Sequence, residues 1–278
     1  MSDLPPLREV IARHDLSALK AFGQHFLLDL NITRKIARAA DAKAGELIIE
    51  IGPGPGGLTR ALLETGAEVT AIERDRRCIA ALEEVAEACD GRLKIIKADA
   101  LKTDERALAG GRLVKIVSNL PYNISTELLV KWLLANHEET PLWSSMTLMF
   151  QKEVADRILA APGSKTYGRL SVIAQAASLP RRAFDLPARA FTPPPKVESS
   201  VVVFDALPAR IENIATLERV TAAAFGQRRK MVRSSLKPVF GEGLSDALAA
   251  IGISGTARAE EINVGQFLGL AEFAKAQR

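Results

Sequence analysis

The sequence has 278 residues, of which 47 % are hydrophobic and 25 % are charged, a balance typical of globular proteins. No apolar run approaches the roughly 20 residues that a membrane-spanning helix needs, and the N-terminal segment carries charged side chains where a secretion signal would need an apolar stretch. These features exclude a membrane span, and we expect a cytoplasmic protein. The net charge of +4 is compatible with a polyanionic partner.

Strand-like apolar runs alternate with helical patterns in the first half of the chain. Strands are predicted at Leu47–Ile51, 69–73, 93–99 and 114–120, and helices at 58–65 and 76–89, with 104–109 too short to assign firmly. A helix from Ser125 to about residue 136, a strand at 147–150 and a helix at 152–160 follow. This alternation predicts an α/β fold with a Rossmann-like, doubly wound, mostly parallel sheet.

The pattern changes near the end of the predicted sheet. Strands are predicted at 170–175 and 197–204, separated by a turn that contains Pro193, Pro194 and Pro195. From Pro208 onward β-branched runs disappear, and helical patterns follow at 215–225, 230–239, 245–251 and 264–276. We therefore predict two domains: a larger one of residues 1–207, and a small all-helical one of residues 208–278.

The chain shows no pattern typical of a metal site or a covalent nucleophile. Cys78 and Cys89 fall in one predicted helix about 16 Å apart, at about 1.5 Å per residue, so they cannot bridge each other and are interpreted as small core residues. His14, His25 and His137 are scattered without paired ligand spacing, and no Ser, His and Asp arrangement is present. We expect no bound metal.

A glycine-rich loop follows the strand Leu47–Ile51. Gly52 and Gly54 stand between a strand and a helix, where the backbone must turn tightly and approach a ligand closely. The pattern predicts a nucleotide-binding loop, with an ordinary turn as the alternative. Because it also satisfies the Gly-x-Gly-x-x-Gly spacing, the loop alone does not distinguish a nicotinamide dinucleotide from S-adenosylmethionine.

Carboxylates end the next two predicted strands. Glu73 lies where a carboxylate accepts hydrogen bonds from the hydroxyls of an adenosine ribose, and Asp99 is placed to accept one from the exocyclic amine of adenine. We place the residues that follow them, Arg74 and Ala100, at the same ligand. An adenosyl group is the inference, and solvated loop carboxylates are the alternative.

The tetrapeptide Asn119-Leu120-Pro121-Tyr122 ends the fourth predicted strand, at the edge where open parallel sheets bind ligands. An adenine N6 lone pair is delocalised into the ring, so its reactivity rises if acceptors hold both amine hydrogens. The Asn119 side chain and the Leu120 carbonyl group supply such acceptors. Pro121 fixes the turn, and Tyr122 offers a flat face for an extruded base. The alternatives are a turn asparagine and a core tyrosine.

Together with the glycine-rich loop, this tetrapeptide resembles the Asn/Asp-Pro-Pro-Tyr class of amino methyltransferases. Its Asn-Leu-Pro-Tyr form resembles the ribosomal RNA adenine dimethyltransferase family, and the resemblance extends from about Lys20 to the C-terminal helices. It implies S-adenosylmethionine as the methyl donor, with Asn119 also in contact with it. It further implies dimethylation of N6 of two adjacent adenines near the 3′ end of small-subunit (16S) ribosomal RNA, in a pre-30S particle, during ribosome biogenesis.

Three further segments carry the resemblance. In residues 22–27 it places Gln24, His25 and Leu27 at the cofactor, although the family usually has Asn at the position of His25. The proline-rich loop resembles the family's Phe-x-Pro-x-Pro-x-Val-x-Ser pattern and implies that Phe191 covers the other face of the extruded adenine; a rigid linker is the alternative. A basic segment is assigned to RNA backbone contact, with a solvated basic face as the alternative: Arg228, Arg229, Lys230 and Arg233.

The expected reaction is an in-line displacement that needs no metal, enzyme nucleophile or general base. We expect a monomer. Three other hypotheses stay open at this point: a large-subunit ribosomal RNA adenine N6-methyltransferase of the antibiotic-resistance type, an RNA-binding assembly factor without turnover, and a nicotinamide-dependent reductase. Asn-Leu-Pro-Tyr rather than Asn-Ile-Pro-Phe favours the small-subunit enzyme over the first.

Overall fold

The structure is a computed structural model that describes residues 4–16, 25–138, 140–227 and 229–276. Its first half contains α1 (Leu7–Arg13), β1 (Phe26–Leu27), α2 (Leu30–Ala39), β2 (Leu47–Ile51), α3 (Gly57–Glu64), β3 (Glu68–Glu73), α4 (Arg76–Glu87), β4 (Leu93–Lys97), α5 (Glu105–Ala109), β5 (Val114–Asn119) and α6 (Ser125–Ala135). The second half contains β6 (Trp143–Gln151), α7 (Lys152–Ile158), α8 (Arg169–Ala177), β7 (Ser178–Leu186), β8 (Phe191–Thr192), β9 (Ser199–Ala206), α9 (Ile214–Gly226), α10 (Val232–Ser235), α11 (Lys237–Phe240), α12 (Leu244–Ile251) and α13 (Val264–Ala276).

The main sheet has seven strands within the described residues, in the order β4-β3-β2-β5-β6-β9-β7. The pairs β3–β4, β2–β3, β2–β5 and β5–β6 are parallel, and β6–β9 is antiparallel. Strand order therefore reverses between β2 and β5, and the carboxyl ends of these two strands form the switch point where such sheets bind ligands. The predicted Rossmann-like, mostly parallel sheet is confirmed.

The central strand explains why the sheet is so evident in the sequence. All five residues of β2 are buried, because a parallel strand covered on both faces needs apolar residues in succession rather than in alternation. One of the five is the carboxylate Glu50. An ionisable side chain in such a strand is costly to bury in its charged form and marks the position as a candidate for a functional site.

The chain divides into two compact units. The first is made of the described residues of Met1–Leu129, Pro141–Ala155 and Arg181–Asp205, and the second of those of Val130–Thr140, Asp156–Pro180 and Ala206–Arg278. The helical unit thus includes two earlier segments besides the C-terminal helices predicted as residues 208–278. The roles that we expect of the two predicted domains stay predictions: S-adenosylmethionine binding and catalysis for residues 1–207, and RNA binding for residues 208–278.

The second unit has a core of its own. Helix α9 packs against α8 and α13, and the ring of Phe225 lies 6.1 Å from that of Tyr167 and 5.6 Å from that of Phe267, centroid to centroid. The Tyr167 hydroxyl donates a hydrogen bond of 3.0 Å to the carbonyl oxygen of Ile262. The aromatic cluster therefore ties a loop before α8 to the C-terminal helices.

The predicted strand at 170–175 is wrong, because these residues lie in helix α8. Seven of its nine residues are buried, and an apolar run buried on all sides looks the same in a strand and in a helix. The strand follows instead, as β7, at the end of the strand order. Its Pro180, Arg181 and Arg182 conceal it in the sequence, but proline and cations are typical of a sheet edge.

The predicted helix at 230–239 is also corrected. It consists of two short helices, α10 and α11. Pro238 has no N–H to donate to the carbonyl oxygen of Ser234, and its ring would clash with that carbonyl group in a continuous helix.

The strands predicted at 69–73, 93–99 and 114–120 are confirmed with ends shifted by one or two residues. Helices α1 and α2 and the short pair β1–β8 were not predicted.

Two smaller predictions concern the cysteines and the membrane. Cys78 and Cys89 are both buried and unpaired, as expected for small core residues. Burial raises the pKa of the Cys78 thiol well above its usual value, so this thiol stays protonated. Among the described residues no helix has both the length and the apolar composition required to cross a bilayer.

His137 joins three segments of the second unit. It is buried, its Nε2 lies 2.9 Å from the carbonyl oxygen of Ala177, and the N–H of Ile211 donates to its Nδ1 over 3.0 Å. A carbonyl oxygen only accepts, so Nε2 carries the proton and Nδ1 does not. Burial lowers the pKa of His137 below its usual 6.5, which keeps the ring neutral.

We predict that this ring makes the protein sensitive to mild acid. The unfolded chain binds a proton at His137 below about pH 6.5 and the folded chain does not, so the free energy of unfolding falls as the pH drops through that range. His137→Gln removes this contribution and should show a shallower fall between about pH 7 and about pH 5. Urea unfolding of both proteins measures it, and parallel pH curves would contradict the assignment.

Candidate active site

A cavity of about 300 Å³ lies in the first unit, at the carboxyl ends of β2 to β5. Most of the residues predicted for the site line it: His25, Leu27, Gly52, Gly54, Glu73, Arg74, Asp99, Ala100, Asn119, Leu120, Pro121 and Tyr122. Gln24 lies outside the described residues. The structure thus brings together side chains that the sequence separates by nearly 100 positions, as expected where parallel strands end at one edge.

The glycine-rich loop forms the floor of this cavity beside β2. Gly52 and Gly54 have φ angles of +61° and +56°, a conformation that L-residues with a side chain adopt at a cost. A Cβ atom at Gly54 would lie 3.0 Å from the ring of Phe26, so a side chain there would also clash. Position 54 therefore needs glycine both for its backbone conformation and for the close packing of the loop against Phe26.

Ser118 fixes the two central strands at the cavity. Its buried hydroxyl donates a hydrogen bond of 2.6 Å to the carbonyl oxygen of Ile51, and the N–H of Gly52 donates to Ile72 over 2.9 Å. Both bonds lie at the point where β2 turns into the loop. They set the distance between the glycine-rich loop and the tetrapeptide that begins with Asn119.

Glu73 is buried at the end of β3, with 6 % of its surface exposed. Its carboxylate accepts hydrogen bonds from the backbone N–H groups of Gly54, Arg74 and Asp75 at 2.7 to 3.1 Å. Burial raises the pKa of Glu73, although these three bonds oppose the rise. A carboxylate has about four acceptor positions, so one remains for a ligand hydroxyl. The bond to Gly54 also ties the loop to β3.

Asp99 begins a short 3-10 helix at the end of the cavity beside β4. One carboxylate oxygen accepts the N–H of Leu101 over 3.1 Å, and the other lies 3.6 Å from the guanidinium group of Arg74. Ala100 follows and is buried at the same wall. These residues present an acceptor and an apolar surface, the combination that recognises an adenine ring.

Asn119 lies at the end of β5 with a fixed side chain. Its Nδ2 donates a hydrogen bond of 3.0 Å to the main-chain oxygen of His25. Because that oxygen can only accept, the contact assigns the amide orientation without ambiguity between nitrogen and oxygen. The Asn119 Oδ1 atom is the part of the amide that can accept from a ligand amine in the cavity.

Tyr122 lines the cavity next to His25, and their ring centroids are 5.4 Å apart. The Tyr122 hydroxyl forms a 2.6 Å hydrogen bond with the hydroxyl of Ser199, and His25 Nδ1 donates to the carbonyl oxygen of Pro193 over 2.8 Å. Burial raises the pKa of Tyr122 against the opposing effect of Ser199. A role of His25 at the cofactor stays a prediction, since its Nδ1 is engaged by the proline-rich loop.

Phe191 does not line the cavity. It is buried, with 3 % exposure, in the core cluster of the first unit, and it pairs with Leu27 across strands β1 and β8. A movement would be required for it to reach a base that lies on Tyr122. The two-sided aromatic clamp therefore stays a prediction, and the structure places only its Tyr122 side at the cavity.

Glu50 is a residue of the site that the sequence analysis did not single out. It lines the cavity, is 1 % exposed, and accepts a 2.7 Å hydrogen bond from the Thr59 hydroxyl. Burial raises its pKa from the usual 4.5 to about 8; the bond from Thr59 opposes the rise and the nearby Glu73 carboxylate adds to it. The one carboxylate in an otherwise apolar strand was the signal available in the sequence.

The basic segment lies in the second unit. Arg229, Lys230 and Arg233 are exposed, and Arg228 lies outside the described residues. A bridge between Met231 and Arg258 holds the segment at the start of α10. The exposed cations are available to a polyanion, and their contact with RNA stays a prediction.

Residues 16–276 match the family model of Ribosomal RNA adenine dimethylase. The chain belongs to this family. The expected family and the expected class of enzyme, a methyltransferase dependent on S-adenosylmethionine, are thereby confirmed. The match covers both compact units of this family member, so the helical unit is part of the family's architecture and not an unrelated addition.

Full-length relatives support this assignment. The chain is 57 % identical to the Ribosomal RNA small subunit methyltransferase A of Phenylobacterium zucineum, over 100 % of this chain and 95 % of the relative. It is 58 % identical to the protein of the same name from a Chelativorans species, over 98 % of each chain. The matches span nearly the whole of this chain, so each of its large segments has a counterpart in these relatives.

Solved structures agree on the fold. A dimethyladenosine transferase from Plasmodium falciparum superimposes with a TM-score of 0.75 at 25 % identity, covering 91 % of this chain and 98 % of that one. The 23S rRNA methyltransferase ErmE superimposes with a TM-score of 0.68 at 24 % identity, covering 90 % and 99 %. The second likeness shows a shared fold only.

The cavity of this family member fits S-adenosylmethionine in three respects. Gly54 has a positive φ angle that lets the loop turn at the cavity wall, Glu73 has an acceptor position left for a ribose hydroxyl, and Asp99 and Ala100 form a wall suited to adenine. Within the described ranges no group of three or more His, Cys, Asp or Glu side chains is placed to hold a metal ion. Independence of metal stays a prediction.

We predict that Glu50 makes stability fall as the pH rises. The unfolded chain loses the Glu50 proton above its usual pKa of 4.5, whereas the folded chain keeps it up to about pH 8, so the free energy of unfolding decreases across this interval. Glu50→Gln keeps an acceptor for Thr59 without a titrating group. The difference in unfolding free energy between variant and wild type should grow in the variant's favour from about pH 5 to about pH 8. Denaturant titration of the cofactor-free proteins checks this, and a difference that does not change with pH would refute it.

Proposed function

We propose that this protein transfers methyl groups from S-adenosylmethionine to N6 of two adjacent adenines near the 3′ end of small-subunit (16S) ribosomal RNA. The product is N6,N6-dimethyladenine, made during ribosome biogenesis. The observation that carries the proposal is the fixed amide of Asn119, a residue that lines the cavity and whose nitrogen donates to the main-chain oxygen of His25, which leaves its oxygen as the acceptor.

The first unit would hold the cofactor through the residues already described at the cavity. Glu73 accepts from the ribose, Asp99 accepts from the adenine amine, and the glycine-rich loop lets the ligand approach the backbone. When bound, the cofactor supplies a methyl group on a sulfonium that is already activated for displacement. The chain therefore has to provide alignment and exclusion of water rather than a nucleophile.

The tetrapeptide orients the acceptor amine. Asn119 Oδ1 and the Leu120 carbonyl oxygen each accept one hydrogen of the adenine N6 amine, so the nitrogen lone pair points along the line of displacement. Tyr122 holds the plane of the extruded base by stacking, a contact worth about 1 to 3 kcal/mol per base in single-strand binders. The nitrogen becomes cationic on methylation and loses its proton readily, and we assign no general base.

The small subunit is the proposed target because the two full-length relatives are named for it. The likeness to ErmE favours no target, since it shows the fold only. We also propose that the substrate is a pre-30S particle, that the enzyme acts as a monomer, and that it works in the cytoplasm, where such particles are assembled. The exposed Arg229, Lys230 and Arg233 would contact the RNA backbone.

The proposal is tested by methyl transfer from tritiated S-adenosylmethionine to immature small subunits that lack dimethyladenine. Label is expected in small-subunit RNA and not in large subunits. Asn119→Ala should reduce turnover about 100-fold or more, the size of effect typical of one lost orienting group, while calorimetry shows unchanged cofactor affinity. Label in the large subunit would favour the resistance-type enzyme, and particle binding without label would favour an assembly factor. Calorimetric binding of a nicotinamide dinucleotide, with none of S-adenosylmethionine, would favour a reductase.

We predict that the exposed cations of the second unit contact phosphates. Lys230→Glu should weaken binding to ribosomal particles. It should also make the fall of log affinity with log salt less steep, by about 1 in slope, as expected for one lost phosphate contact. Lys94→Glu is the matched control, with the same charge change at an exposed position of β4. Binding measured at several salt concentrations distinguishes them. Equal effects of both variants would mean that only net charge matters.

A further inference from the structure

Ser199 occupies an unusual place for a buried hydroxyl. It is fully buried at the first position of β9, and it pairs with Gln151 across β6. Its side chain does not satisfy a neighbouring backbone group but bonds to the Tyr122 hydroxyl over 2.6 Å. The buried hydroxyl thus connects the sheet to a ring that lines the active-site cavity.

The position of Ser199 is itself well fixed. Gln151 and Ser199 are the last pair of the β6–β9 ladder, and the next two residues outward are joined as well. The Lys152 N–H donates to the Glu198 carbonyl oxygen over 2.9 Å, and the Lys152 ammonium lies 2.6 Å from the Glu198 carboxylate. The hydroxyl of Ser199 is therefore a rigid anchor rather than part of a mobile loop.

Tyr122 is held at a second point. His25 lies beside its ring and is bound through Nδ1 to Pro193, and the main-chain oxygen of His25 holds the amide of Asn119. The stacking surface and the orienting amide are thus connected through His25 on one side, while Ser199 fixes the far end of the tyrosine ring. Without Ser199 the far end of the ring could swing about the Cα–Cβ bond and leave its position, whereas rotation about Cβ–Cγ is opposed by the packing of His25 against the ring.

We propose that Ser199 is a positioning residue that fixes the far end of the Tyr122 ring, and with it the place of the stacking surface for the acceptor adenine relative to the Asn119 amide. This inference rests on the proposed function. It follows from the hydrogen bond between Ser199, the last residue of the Phe-x-Pro-x-Pro-x-Val-x-Ser pattern, and Tyr122, the last residue of the tetrapeptide. The two residues are 77 positions apart in the sequence. Ser199 does not contact the base in this role; it acts through Tyr122.

The test is a double-mutant cycle of Ser199→Ala and Tyr122→Phe, measured on immature small subunits. Each single variant should lower kcat about three- to tenfold, the size expected for one lost hydrogen bond. The KM for the particle should change little, because most of the contact with so large a substrate lies elsewhere, and calorimetric affinity for S-adenosylmethionine should be unchanged. The double variant should be no slower than the slower single variant.

Ser200→Ala is the matched control. Ser200 is the next residue of β9 and is equally buried, but its hydroxyl bonds to Asp185 over 2.6 Å instead of to Tyr122. It should lower stability without changing kcat. If Ser199→Ala behaves in the same way, or if the effects of Ser199→Ala and Tyr122→Phe multiply, the inference is wrong.

A spectroscopic measurement separates this outcome from a failure of the proposed function. The chain has two tyrosines, so protein labelled with ¹³C at the tyrosine Cζ gives two resonances, and Tyr122→Phe assigns them. The Tyr122 resonance should shift in Ser199→Ala and stay in place in Ser200→Ala, whatever the substrate. An unshifted resonance overturns the inference even if methylation is intact, whereas wild-type protein that methylates no RNA overturns the function alone.

Discussion

The hydrogen bond from Asn119 Nδ2 to the main-chain oxygen of His25 is the constraint on which the site depends. It places the nitrogen of the amide on the side of His25 and leaves the oxygen as the acceptor, so a residue that could bind in two orientations is restricted to one. Ser118 fixes the same strand end to Ile51. The chemistry therefore requires the segment around His25 to lie against the end of β5, and the β1–β8 pair that follows His25 keeps it there.

Much of the first unit follows from the sequence, because a parallel sheet needs apolar strands such as β2 and the residues at its switch point must follow those strands. Glu73, Asp99 and Asn119 could be assigned to one cavity on that basis alone. The wrong strand prediction at 170–175 and the missed strand β7 have a common cause. In both, the surrounding structure rather than the local sequence pattern decides whether the segment is a helix or a strand. An apolar helix buried on all sides and a cationic edge strand both contradict the usual local patterns.

Side-chain partners were beyond prediction for a different reason. The positions of Ser199 and Phe191 in the family pattern do not show that one holds Tyr122 while the other is buried in the core. Glu50 was overlooked because a single carboxylate in a strand has no spacing to recognise, and only burial reveals its raised pKa. Membership of the Ribosomal RNA adenine dimethylase family fixes the enzyme class, while these contacts describe how this chain builds its own site.

The residues at the two edges of the seven-stranded sheet affect how readily the protein aggregates. β4 ends one side with Lys94 and Lys97, and β7 ends the other with Pro180, Arg181 and Arg182. A strand from another molecule that paired with either edge would have to place its backbone beside these cations. At Pro180 it would also find no backbone N–H to donate a hydrogen bond to it. Intermolecular sheet extension is therefore disfavoured at both ends, which guards against amyloid-like association of the folded protein.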